Sequence, residues 1–151
     1  ASMINRDDII SVAVSGYGTP ATTFWGPKMY GYYDGFDLIS GDVESAKRLL
    51  TEAGYPDGLS FEVMTYGNDY LGACQVIQAA LKKIGIDLII NEVDSAGLVA
   101  RNNEGDFDTM VYGRSFGTCA EDVRPQYVKG FIGNCATNPA SLSLNKILKI
   151  L

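Results

Sequence analysis

Between Asp42 and Gly113 the apolar positions switch repeatedly from a spacing of three and four to strict alternation, and each switch falls at Gly, Pro, Asn or Asp. The pattern predicts helix, strand, helix, strand, helix, strand. Asp42 caps a helix from Val43 to Ala53 whose Ala46, Leu49, Leu50 and Ala53 share one side, and Gly54 supplies its left-handed C′ residue. Pro56-Asp57-Gly58 then turns the chain into a strand, Leu59 to Tyr66, with Leu59, Phe61 and Val63 on one face and Ser60, Glu62 and Met64 on the other. Gly67-Asn68-Asp69 breaks that strand. In the next helix Leu71, Cys74, Ile77, Leu81 and Ile84 lie along one face until Gly85. Ile86 to Val93 is apolar apart from Asp87, Asn91 and Glu92, as a strand covered on both faces would be. Asp94 or Ser95 caps a short helix ending near Gly105, and Phe107 to Gly113 forms the third strand. Short links between these elements require right-handed crossovers, so the expected class is α/β with a mainly parallel β-α-β-α-β core.

The flanks are less regular. Residues 5–15 read as a short helix capped by Asn5, with Ile9, Ile10, Val12 and Ala13 on its apolar side and Gly16 at its end. Residues 16–41, rich in Gly, Pro, Thr and aromatics, read as an ordered loop across the domain, and a loop of that length suggests that its packing partner lies elsewhere. After Arg114 the pattern dissolves until a short helix signal at Leu142–Leu151. Residues 4–151 are therefore expected to form one domain of a longer protein, with Ala1-Ser2-Met3 as a cloning remnant.

Composition narrows the function. Of 151 residues 46% are apolar, enough for one core, and the net charge of −6 with no basic block argues against nucleic acid as a partner. The longest uncharged run, Ile9 to Pro27, is too polar and too broken by Gly and Pro to span a bilayer. With no histidine, every His-based triad or metal site is excluded. Cys74, Cys119 and Cys135 lack the spacing of a zinc or thioredoxin motif, and no cofactor is implied.

Candidate chemistry follows from the class. Open parallel sheets bind ligands beyond the carboxyl ends of their strands. Here that edge comprises Gly67, Asn68, Asp69 and Tyr70, then Asp94 and Ser95, then Arg114, Ser115 and Phe116. Asn68, Asp69, Asp94 and Ser95 can equally serve only as helix caps, whereas Arg114 can clamp a carboxylate through two parallel hydrogen bonds or simply face water. Gly16-Tyr-Gly-Thr-Pro-Ala21 fits a dinucleotide pattern, but Pro20 blocks the strand-turn-helix context. Asp106-Phe-Asp108 opens a strand rather than ending one, and Glu121-Asp122 are adjacent carboxylates without a second cluster. The aromatics between Tyr17 and Tyr33 can form a stacking wall or plain core cover.

Three phrases carry a family resemblance: Asp42-Val-Glu-Ser-Ala-Lys-Arg-Leu-Leu-Thr-Glu-Ala-Gly-Tyr-Pro-Asp-Gly58, Gln75-Val-Ile-Gln-Ala-Ala-Leu-Lys-Lys-Ile-Gly-Ile86 and Glu104-Gly-Asp-Phe-Asp108. With Ile4-Asn-Arg-Asp-Asp-Ile9 and Gly16-Tyr-Gly-Thr-Pro-Ala21, they resemble the family 5 extracytoplasmic solute-binding proteins, the peptide and nickel class that feeds ABC importers. The resemblance implies a periplasmic-binding-protein type II lobe, non-catalytic, that traps a small molecule or peptide against an N-terminal lobe and is recognised by an ABC permease. It also implies an extracytoplasmic location, periplasmic or lipid-anchored at the cell surface, with the membrane met only through the anchor. In oligopeptide-binding relatives an aromatic follows the Gly ending the third strand, and an Asp shortly after it holds the peptide amino terminus. Here Arg114 takes the aromatic position, and Glu121 or Asp122 can supply the carboxylate. The departure opens the way to an anionic ligand. In an exported protein Cys119 and Cys135 are candidates for a disulfide. Two other readings remain, a small carboxylate-dependent α/β enzyme and a flavodoxin-like regulatory domain.

Overall fold

The computed structural model describes residues 4–21, 32, 33, 35 and 42–113. Their elements are α1 (Arg6–Val14), α2 (Val43–Glu52), β1 (Leu59–Thr65), α3 (Asn68–Lys82), β2 (Ile86–Glu92), α4 (Ser95–Glu104) and β3 (Thr109–Val111). The three strands form one parallel sheet in the order β2-β1-β3.

Register divides the sheet into two faces. Leu59, Phe61 and Val63 of β1 lie beside Ile86, Leu88 and Ile90 of β2, and these residues meet Leu50 of α2 with Cys74, Ile77 and Leu81 of α3 in the main core. The opposite face carries Glu62, whose Oε1 accepts from Arg101 Nη2 of α4 at 2.9 Å. α3 and α4 thus cross on opposite faces, as right-handed connections must when one leads from β1 to β2 and the next returns past β1 to β3.

Two consequences differ from the alternation in the sequence. Met64, on the face opposite Leu59, Phe61 and Val63, is 0% exposed, so the central strand is covered on both sides at that point. Ile89, expected under cover, is 52% exposed and Asp87 is exposed as well. Among the described residues β2 is an edge strand of the sheet. β1 ends at Thr65, one residue earlier than expected, and β3 is shorter than Phe107–Gly113 because only Thr109–Val111 pair with β1.

Local signals account for the boundaries. The Asp7 N–H donates to Asn5 Oδ1 at 2.9 Å, and the Ser45 N–H donates to Asp42 Oδ1 at 2.6 Å. The latter bond holds the Asp42 carboxyl below its ordinary value, because a donor favours the charged form. α1 reaches the left-handed region already at Ser15, φ 53°, one residue before Gly16. On α1, Ile9, Ile10 and Ala13 are half-buried, but Val12 is exposed. α1 packs along α3, with Gly72 of α3 facing Val12 and Ala13 of α1 at ordinary van der Waals distance.

Asp106 and Asp108 have structural roles. The Glu62 N–H donates to Asp108 Oδ2 at 2.9 Å, extending the β1–β3 ladder by one rung, and Arg101 Nε donates to Asp106 Oδ2 at 3.2 Å. Hydrogen bonding to Glu62 pushes the Arg101 guanidinium further up from its ordinary value.

Candidate functional site

Because all three strands run the same way, Thr65, Glu92 and Val111 end at one edge, and the chain leaves each of them beside the others. Thr65 ties the exits together. It is buried, its carbonyl accepts from the Val93 N–H at 2.9 Å, and its Oγ1 donates to the Val111 carbonyl at 2.9 Å. Behind it lies Cys74, whose thiol burial pushes up from its ordinary value. β1 sits between strands reached by crossovers on opposite faces, so its carboxyl end is a topological switch point, where ligands enter open α/β sheets.

The first exit is built around Gly67, at φ 76°, a conformation that disfavours any side chain. Gly67 itself is the N-cap of α3 and offers no side-chain hydrogen bond. Asn68 and Asp69 are therefore not caps. They are exposed in the first helical turn, where α3 presents its amide end and where Asp69 is favoured by the helix dipole.

The second exit is different. Asp94 is the N-cap of α4, its Oδ1 accepting from the Gly97 N–H at 2.6 Å, and a Cβ on Gly97 would stand 3.0 Å from that same oxygen. Ser95 is the first residue of α4 and is exposed. One carboxylate oxygen of Asp94 is thus committed to the helix.

The third exit is described through Tyr112 and Gly113. Arg114, Ser115, Phe116, Glu121, Asp122, Cys119 and Cys135 lie outside the described residues, as do the Leu142–Leu151 segment and most of the loop at 16–41. Tyr70, in the first turn of α3, lies over Gly113, so close that a Cβ on Gly113 would overlap its hydroxyl oxygen. The Tyr70 ring also tilts at 47° to Tyr66, with centroids 5.4 Å apart. Tyr66 and Tyr112 were not among the residues singled out from sequence. The available signal was their position, each an aromatic immediately after a strand on the ligand-facing edge.

Among the described residues no group of three or more His, Cys, Asp or Glu side chains can hold a metal ion, and no helix is long and apolar enough to cross a membrane.

A parallel α/β sheet with its strand exits gathered at a switch point is here the periplasmic-binding-protein type II fold. The family model described as bacterial extracellular solute-binding proteins, family 5 Middle, matches residues 1–126, and the chain belongs to that family. The glutathione-binding protein GsiB of Salmonella choleraesuis is 38% identical over 104 residues, which are 68% of this chain and 20% of that protein. The periplasmic binding protein AgaA of A. tumefaciens R10, solved with agropinic acid, superimposes with a TM-score of 0.76 at 30% identity, over 87% of this chain and 28% of that one. DppA of Helicobacter pylori, solved with the peptide STSA, gives 0.73 at 27%, over 82% and 24%. The chain thus spans about a fifth of the length of the curated relatives it matches.

Proposed function

We propose that this chain is the C-terminal substrate-binding lobe of an ABC importer receptor, and that it holds a peptide or related small solute at the carboxyl edge of its sheet. The observation that carries the reading is the coincidence of the family match over residues 1–126 with three strand exits joined around Thr65. Residues 4–151 act as a single lobe. A second, N-terminal lobe closes over the solute, and the closed pair docks on the permease outside the cytoplasm, held at the membrane by a lipid anchor.

Within the site, Gly67, Asn68 and Asp69 present the amide end of α3, while Asp94 and Ser95 mark the second wall. Arg114 follows Gly113 directly and clamps a carboxylate of the solute, with Ser115 and Phe116 beside it. Glu121 or Asp122 supplies the counter-charge for an amino group. The role is binding without catalysis, in keeping with the solute-binding names of the relatives and with a chain that has no histidine.

Calorimetric titration of this chain and of the intact receptor with glutathione and with L-alanyl-L-alanine tests the reading. One lobe offers about half the contacts, while the entropic cost of association, about 4–15 kcal/mol, does not shrink with them. The expected result is sub-micromolar binding of one solute to the receptor and binding weaker by orders of magnitude to the lobe alone. Equal affinities, or turnover of a solute that mutation of Glu121 or Asp122 abolishes, would overturn it.

A further inference from the structure

Two tyrosines form a ring pair at the first strand exit. Tyr66 and Tyr70 flank Gly67, their rings are 5.4 Å apart and inclined at 47°, and both remain half-buried rather than enclosed. Both rings thus keep part of their surface open at the edge where the parallel strands end. Tyr70 is also held from its other side by Gly113, where only the missing side chain leaves room for it. The exposed Tyr112 is the next residue back along the chain. Aromatic surface therefore lines both the β1 and the β3 exits, with a glycine where they touch.

We propose that Tyr66 and Tyr70 form a platform selecting solutes that carry a flat or apolar side group, and that Gly113 is a positioning residue holding Tyr70 in that platform. The assignment rests on the binding role proposed above and adds to it the kind of group the site prefers. A ring pair of this kind offers an edge and a face to a third aromatic or aliphatic group, an arrangement that adds affinity beyond area alone. Gly113 contributes nothing to the ligand directly. Its part is to leave the space that Tyr70 occupies, so any side chain there drives the ring away from Tyr66.

The test uses the 151-residue chain and two probes, L-alanyl-L-phenylalanine and L-alanyl-L-alanine, followed at millimolar concentration by amide and aromatic NMR shifts. The phenylalanine peptide is expected to bind about fivefold more tightly, in line with the worth of one aromatic contact, and to move the Tyr66, Tyr70 and Gly113 signals most. Tyr70→Ala and Gly113→Ala should each remove that preference. The double variant should be no worse than Tyr70→Ala alone, because Gly113 acts through Tyr70. Unchanged Val63 and Leu88 methyl shifts would show that each variant is folded. Equal affinities of the two peptides for the unaltered chain would overturn the platform while leaving the binding role standing. A preference that survives Gly113→Ala, or additive losses in the double variant, would overturn the positioning role. No shift with either peptide would overturn the platform, while calorimetry on the intact receptor decides the binding reading separately.

Discussion

Gly58 and Gly85 meet backbone to backbone: both have φ +86°, and a Cβ on Gly58 would collide with the Gly85 carbonyl oxygen. The turn entering β1 therefore rests on the turn entering β2, which sets where the two strands begin to pair, at Leu59 beside Ile86. Gly54 also has a positive φ, of 91°, but has open space around it. Gly54→Ala should cost about 1 kcal/mol, the strain of the left-handed region alone. Gly58→Ala should cost more, at least about 2 kcal/mol, since backbone must also shift. Urea unfolding of the two variants checks the order, and equal losses would contradict the contact.

Thr65→Val keeps the shape of a fully buried residue but deprives the Val111 carbonyl of its donor. A loss of about 1–3 kcal/mol is expected, with Thr65→Ser closer to the unaltered protein. Thermal melting of the pair measures it. The β3 amides should also exchange faster in the valine variant.

Stability should depend on pH through Asp42. Its carboxyl is held below the ordinary 3.8 in the folded chain by the Ser45 N–H, so the folded state favours the ionised form and the unfolded state binds the proton more readily. The contribution is fully present above the unfolded value and is lost as pH falls from about 3.8 through the lower folded value. Asp42→Asn keeps a capping oxygen that does not titrate. Melting temperatures of the two proteins should converge as pH drops below that range, and a constant difference down to acid pH would contradict the assignment.

Cysteine chemistry separates the three thiols. Cys74 is buried and its thiol is pushed up, so it should resist alkylation at neutral pH in the folded chain and react once the chain is unfolded. If Cys119 and Cys135 are bridged, as we propose, the unreduced protein will weigh two hydrogens less, and reduction will cost about 3 kcal/mol of stability. Three free thiols after preparation under oxidising conditions would reject the bridge.

For Asp94, capping and ligand binding can be told apart. Asp94→Asn retains the oxygen that accepts from Gly97, so stability should change by less than about 0.5 kcal/mol, whereas Asp94→Ala should cost about 1 kcal/mol. In the intact receptor, weaker solute binding by the asparagine variant would show that the charge contacts the ligand. Unchanged binding would assign Asp94 to the helix alone.

Elements set by neighbours in the chain were legible from the sequence. Asp42 caps as read, Asp94 of the two candidates Asp94 and Ser95 caps α4, Gly54, Gly85 and Gly105 stop their helices, and the parallel order of β1 and β2 follows from their connection. What escaped depends on which element lands on which face. Nothing within Leu59–Thr65 reveals that Arg101 of α4 reaches Glu62 or that Met64 is fully buried. Likewise, nothing within Ile86–Glu92 reveals that Ile89 stays open. At the site, Gly67 was read as a breaker between strand and helix, and its place as the cap, which frees Asn68 and Asp69, is visible only in the backbone. The Tyr70–Gly113 contact joins residues far apart in the chain, and no local period encodes it.

The contact of α1 with α3 at Gly72 has a mechanical consequence. Gly72 lies two residues beyond Tyr70 on α3, and its neighbours on α1 are Val12 and Ala13. Helices packed against each other in this way move together rather than slide, so a displacement of α1 carries the first turn of α3, and Tyr70 with it.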